Sequence, residues 1–99
     1  QRFDINGGGA NTLALNASTV QRSSLAAGGG SHAIEILGGS DDLVNLSKAF
    51  SDGSTPGSWS TSGTTTVNGT LFNVYDYSSD ATLKVLIDSA ISAANITLL

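Results

Sequence analysis

The chain has 99 residues, 39% of them hydrophobic and only 12% charged, with a net charge of −4 and neither Cys nor Met. That length suits one small domain and not two. The scattered cations Arg2, Arg22, Lys48 and Lys84 exclude a clustered nucleic-acid surface, and the missing thiols exclude disulfides, thiolate metal sites and thiol nucleophiles.

No apolar run approaches the roughly 20 residues needed to span a bilayer, so no membrane insertion is expected. The chain starts at Gln1, which reads as a module excised from a much longer extracellular protein or as a processed product. Abundant Gly, Ser and Thr, with apolar residues in alternating runs, point to an all-β domain rich in turns.

In chain order, residues 3–5 read as a short strand. A glycine-rich turn follows at residues 6–10, then a strand over residues 12–15. Residues 16–22 suit one or two helical turns capped by Asn16 or Ser18, with Val20 and Leu25 as buried contacts. Residues 27–31 read as a flexible connection containing three glycines. Residues 33–37 and 43–46 read as a second pair of strands. A helix is the competing reading here, because Ser40-Asp41-Asp42 could cap one and Leu43, Val44, Leu46 and Phe50 have helical spacing.

Residues 51–69 lack large apolar side chains apart from Trp59, which is expected to fold back as a plug or to stay half-exposed. Residues 64–67 suit an edge strand. Asn68-Gly69 is the strongest hairpin signal in the chain. Residues 71–77 have strong strand character, residues 78–80 turn, and Leu83, Val85 and Ile87 alternate along another strand. Residues 88–90 turn again. Residues 91–94 suit a helical turn, and residues 95–99 close the sheet.

An internal duplication organises this pattern. Phe3-Asp4-Ile5-Asn6-Gly7-Gly8-Gly9-Ala10-Asn11-Thr12-Leu13-Ala14-Leu15 aligns without a gap on residues 34–46. Phe3 falls on Ile34, Ile5 on Ile36, Asn11 on Asp42, Leu13 on Val44 and Leu15 on Leu46. A strand, a small acidic or glycine-rich turn and a second strand therefore occur twice. Antiparallel hairpins and parallel solenoid turns both fit this repeat. Asp4 and Glu35 fall at matched positions between apolar residues and read as outward-facing, with a shared ligand or ion-pair role as the alternative.

The matched turns carry the main chemical expectation, which is calcium. That ion takes several oxygen ligands on a sharply turning backbone. Asp41 and Asp42 offer carboxylates, Asn11 an amide oxygen, and Gly38 and Gly39 accessible carbonyls. The turns look like degenerate forms of the nonapeptide repeat Gly-Gly-x-Gly-x-Asp-x-(apolar)-x. The bland alternative is an Asx-capped turn that needs no metal.

Trp59, Tyr75 and Tyr77 are candidate ligand-binding residues, as a stacking platform for sugar. Core packing is the alternative, and the commoner use of strand aromatics. His32, the one histidine, has no identifiable nucleophile or acid and reads as a linker residue. No carboxylate pair stands out among Asp41, Asp42, Asp76, Asp80 and Asp88 for glycoside hydrolysis. No glycine-rich segment is followed by the Lys and Ser/Thr of a phosphate loop. No catalytic residue is expected, and no enzyme.

Taken in order, Asn11-Thr-Leu-Ala-Leu, Ile34-x-Ile-x-Gly-Gly-x-x-Asp42-x-Val-x-Leu, Trp59, Phe72-x-Val-Tyr75 and Ala81-Thr-Leu-x-Val-x-Ile87 resemble a module of large bacterial repeats-in-toxin (RTX) adhesins exported by type I secretion. The resemblance covers roughly residues 3–88. It implies a secreted protein at the bacterial cell surface, a part in biofilm or host adhesion, and calcium-dependent folding. Asn11 in place of Asp, and the missing glycines, depart from the repeat in the first turn above all.

The expectation is thus one all-β domain over residues 1–99, a β-sandwich or short β-roll-like stack with at most one or two helical turns. Its partners would be neighbouring modules of the same chain and a surface glycan or protein ligand. The alternatives are a carbohydrate-binding module using Trp59, Tyr75 and Tyr77, and a fragment of a secreted hydrolase.

Overall fold

The computed structural model describes residues 2–7, 9–22 and 32–99. Eight strands and one short helix follow in the order β1 (Arg2–Asp4), β2 (Thr12–Leu15), α1 (Ala17–Gln21), β3 (His32–Leu37), β4 (Leu43–Leu46), β5 (Trp59–Val67), β6 (Thr70–Tyr77), β7 (Asp80–Asp88) and β8 (Ile96–Leu98), with a 3-10 turn at Ala93–Asn95 before β8. The protein is all-β.

The strands form two sheets. Sheet A has the order β1-β3-β7-β6-β5, and sheet B has the order β2-β4-β8. β1, β3 and β7 run parallel, as do β2, β4 and β8. Each strand of the first set therefore leads through a corner into a strand of the second. Among the described residues, three such coils stack on one another. The repeat is a stack of parallel solenoid turns, and β3 and β4 do not pair as a hairpin.

The helical alternative for residues 40–50 is not adopted. Val44 and Leu46 sit on one face of β4 and are fully buried between the sheets. Parallel pairing puts like residues side by side, Leu13 against Val44 against Ile96 and Leu15 against Leu46 against Leu98. Sheet A does the same with Phe3 against Ile36 against Ile87. These ladders contribute much of the aliphatic side of the core.

Asn16 caps α1, its Oδ1 accepting from Thr19 N at 2.9 Å, and Val20 is buried in the core. Leu25 and residues 27–31 lie outside the described residues. The strand pair β5 and β6 is antiparallel, joined at Asn68-Gly69 with φ of 50° and 82°. Positive φ at both central residues makes the tight turn whose twist matches its strands, and glycine takes that conformation without a Cβ penalty. β6 then pairs antiparallel with β7 and joins the meander to the stack.

The main core lies between the sheets. A second, smaller cluster of Ala33, Phe72, Val74 and Leu86 lies on the other face of sheet A, with Leu37 and Val67 packed against it. Glu35 alternates onto that face and is fully buried, in contrast to the outward position expected for it. Its Oε1 accepts from Arg2 Nε at 2.9 Å and from Arg2 Nη2 at 2.6 Å. Its Oε2 is buried with no hydrogen-bond partner among the described residues. Asp4, its counterpart in the repeat, is exposed as expected.

Candidate functional site

The corners between sheets A and B bring the matched Asx residues together. They span residues 5–11, 38–42 and 89–95 in the three coils. At each corner the chain leaves one ladder and enters the next, which strands backbone N–H and C=O groups away from strand partners. Short polar side chains at the corner take those groups up.

Asp42 takes up two of these groups, one of them in the neighbouring coil. It is 2% exposed. Its Oδ2 accepts from Gly39 N in its own corner at 2.8 Å, and its Oδ1 accepts from Asn11 N in the preceding coil at 3.0 Å. One carboxylate thus caps its own turn and pins the turn beside it. Hydrogen bonds to a charged acceptor are the stronger kind. The backbone adds Leu43 N to Asn11 O at 2.8 Å.

Asn11 points its amide nitrogen into the first corner. Nδ2 donates to Ile5 O at 2.9 Å, and Gly9 O and Gly7 O lie at 3.3 and 3.4 Å from it. The third coil joins in through residues that sequence reasoning did not single out for this role. Asn95 Nδ2 donates to Ser40 O at 3.1 Å. Asp88 accepts from Ala90 N through Oδ1 and, at 3.4 Å, from Gly38 N through Oδ2. The available signal was positional, because Asp88 closes the apolar run of β7 and Asn95 opens that of β8.

The geometry bears on the calcium expectation at Asp41, Asp42 and Asn11. Asn11 and Asp42 are brought together, but Asp41 is exposed at the rim. Both oxygens of Asp42 already accept N–H groups, and an N–H donor fills the point where three carbonyls converge. Among the described residues no three acidic or histidine side chains are grouped to hold a metal ion. The donor set as arranged is that of an Asx-capped turn.

Trp59, Tyr75 and Tyr77 also come together, but inside the core. They are 5%, 5% and 1% exposed. The Trp59 and Tyr77 ring centroids are 4.9 Å apart, and Phe50 meets Tyr77 edge-on at 5.9 Å. Trp59 Nε1 donates to Ser47 O at 2.9 Å and Tyr77 Oη to Lys48 O at 2.6 Å. Tyr77 Oη also accepts from Gly57 N. Burial pushes the Tyr75 phenol above its ordinary pKa. The rings hold the crossover from β4 to β5, so the sugar-stacking platform expected from the sequence is not formed: no ring face is free.

His32 is the first residue of β3 rather than part of a linker. Among the described residues no pocket opens, and no helix is long and apolar enough to cross a membrane. Compared with known proteins, the chain matches no family model, no curated protein and no solved structure.

Proposed function

We propose that this chain is a non-catalytic structural and adhesive module of a large secreted bacterial surface protein. What supports the reading is the parallel stack whose corners are cross-linked by Asn11, Asp42 and Asn95. Coils that repeat in register make an elongated, stepwise scaffold of the kind used to space or present binding surfaces. The polar outer strand β5, rich in Ser and Thr, adds a hydrated face for contact with neighbouring modules or a surface ligand.

Calcium stabilisation is the part of this reading that the donor set supports least. Binding would require the Asn11 amide to turn its oxygen inward and Asp42 to give up an N–H partner. Two measurements test the proposal. Beads coated with the chain are expected to be retained on biofilm matrix or host cells above bare beads, and equal retention contradicts the adhesive role. Melting with millimolar calcium and with chelator is expected to coincide. A rise of several degrees with calcium would instead mean that the corner rearranges around the ion.

A further inference from the structure

We infer that the tip of the β5–β6 hairpin is a site of spontaneous covalent modification, where Asn68 loses its side-chain amide through attack by Gly69 N and becomes a mixture of aspartate and isoaspartate. Asparagine is among the thermolabile side chains. Its reactive setting is before glycine, which puts no side chain in the way of the attacking nitrogen. That pair occurs twice in the chain, at Asn6-Gly7 and at Asn68-Gly69. Local sequence does not rank the two, but the fold does.

At the hairpin tip both residues are exposed. Asn68, at φ 50°, is the one non-glycine residue with positive φ among the described residues, and Gly69 follows at φ 82°. Among the described residues neither the Asn68 carboxamide nor the Gly69 N–H has a hydrogen-bond partner. A Cβ built on Gly69 would meet nothing within 4 Å, so a ring formed here has room. Val67 opposite Thr70 is the last rung below the turn, and a terminal rung opens at little cost.

Asn6-Gly7 sits in the first corner of the stack. Asn6 N donates to Asp4 Oδ1 at 2.9 Å, and Gly7 O lies 3.4 Å from Asn11 Nδ2. A Cβ on Gly39 would stand 3.6 Å from Asn6 Oδ1, which places the Asn6 amide against the second corner. Ring closure at Asn6 has to loosen a corner that the neighbouring coil pins. Ring closure at Asn68 has to open only the tip.

The chemistry needs water alone. Gly69 N gives its proton to solvent and attacks Asn68 Cγ. The new N–Cγ bond closes a cyclic imide, while the Cγ–Nδ2 bond breaks and the amide nitrogen takes up a proton and leaves as ammonia. Water then adds to one of the two imide carbonyls. Opening at Cγ gives aspartate, which tolerates the left-handed conformation and keeps the turn. Opening at the main-chain carbonyl gives isoaspartate, whose extra main-chain methylene does not fit a two-residue turn. Either product adds one negative charge.

Peptide mapping by mass spectrometry tests this on the intact 99-residue chain, held in warm, mildly alkaline water labelled with heavy oxygen. Each imide opening fixes one labelled oxygen. Label is expected at Asn68 several-fold faster than at Asn6, in two products of equal mass. In urea the two sites should react at like rates, because unfolding removes what separates them. Asn68→Gly keeps a residue suited to the turn. It should abolish the hairpin label, leave the melting curve nearly unchanged and leave the slow label at Asn6. No label at Asn68, or equal or faster labelling at Asn6 in the folded chain, overturns the inference. So does a bias toward Asn68 that persists in urea, because the fold would then not be its cause.

Discussion

The parallel stack and the antiparallel pair β5–β6 meet in one sheet but are held by different means. In the stack, aliphatic residues line up through register, and each coil repeats the solution of its neighbour. In β5–β6, three aromatic rings fill one end of the core, and two of them hydrogen-bond the backbone of the crossover at Ser47 and Lys48. The stack spreads its stabilisation over many like contacts, whereas the meander concentrates it in a few unlike ones. Single substitutions should therefore hurt the meander most at its rings and the stack most at its corners.

The largest effect is expected at Trp59. Trp59→Ala leaves a ring-sized cavity and orphans the Ser47 carbonyl, at a cost of about 3–5 kcal/mol. In a domain of this size each kcal/mol is worth roughly 4–8 °C in Tm, so calorimetry should show a steep drop. A loss under about 1 kcal/mol would mean that the meander does not depend on its rings.

Next comes the corner. Asp42→Ala leaves the Gly39 and Asn11 N–H groups without their acceptor and should cost about 2–4 kcal/mol. The neighbouring Asp41→Ala, at an exposed site, should change stability by no more than about 0.5 kcal/mol. Chemical denaturation of both variants decides between the roles, and equal losses would remove the distinction drawn between the two carboxylates. Gly38→Ala should follow at about 1–3 kcal/mol. Its Cβ would stand 2.7 Å from Ile91 Cδ1 and 3.1 Å from Asp42 Oδ2. A neutral result would show that Ile91 swings clear without loss.

The smallest effect belongs to the ion pair joining β6 to β7. Lys84 Nζ lies 2.7 Å from Asp76 Oδ1. Burial pushes the Asp76 carboxyl up, but hydrogen bonds from Lys84 and Ser62 and the charge of Lys84 outweigh it and hold the carboxyl below its ordinary pKa of 3.8. A lowered folded pKa means that the unfolded chain binds the proton more readily. The contribution is complete well above pH 3.8 and is lost as pH falls through the folded value. Lys84→Gln should remove less than about 1 kcal/mol at neutral pH and flatten stability against pH in that acid window. An unchanged acid profile would show that Asp76 owes its low pKa to other groups.

Much of the stack could be read in the residues, and its misreadings have physical causes. The gapless offset of 31 residues is the true register of sheet B, where Leu13 faces Val44. In sheet A, Phe3 faces Ile36 rather than Ile34. The first corner is two residues longer than the second, and alignment alone cannot say how many residues a corner absorbs. A two-residue shift keeps the same face inward, so the core positions survived it. The third coil was read as separate strands because its corner, residues 89–95, contains no glycine and buries Ile91. Glu35 misled because alternation marks it as the solvent side of β3, and only tertiary packing reveals that this face is also covered. Trp59 could be seen as a plug, but its use of the Ser47 carbonyl depends on a contact 12 residues away.

The expectations for the core and its corners depend on the repeats stacking in parallel. Nuclear Overhauser contacts in the isotope-labelled chain test it directly. Val44 should show cross-strand contacts to both Leu13 and Ile96, and Ile34 to Val85, with the pattern of parallel ladders. Close Hα–Hα contacts between β3 and β4, the mark of an antiparallel hairpin across residues 38–42, would contradict it.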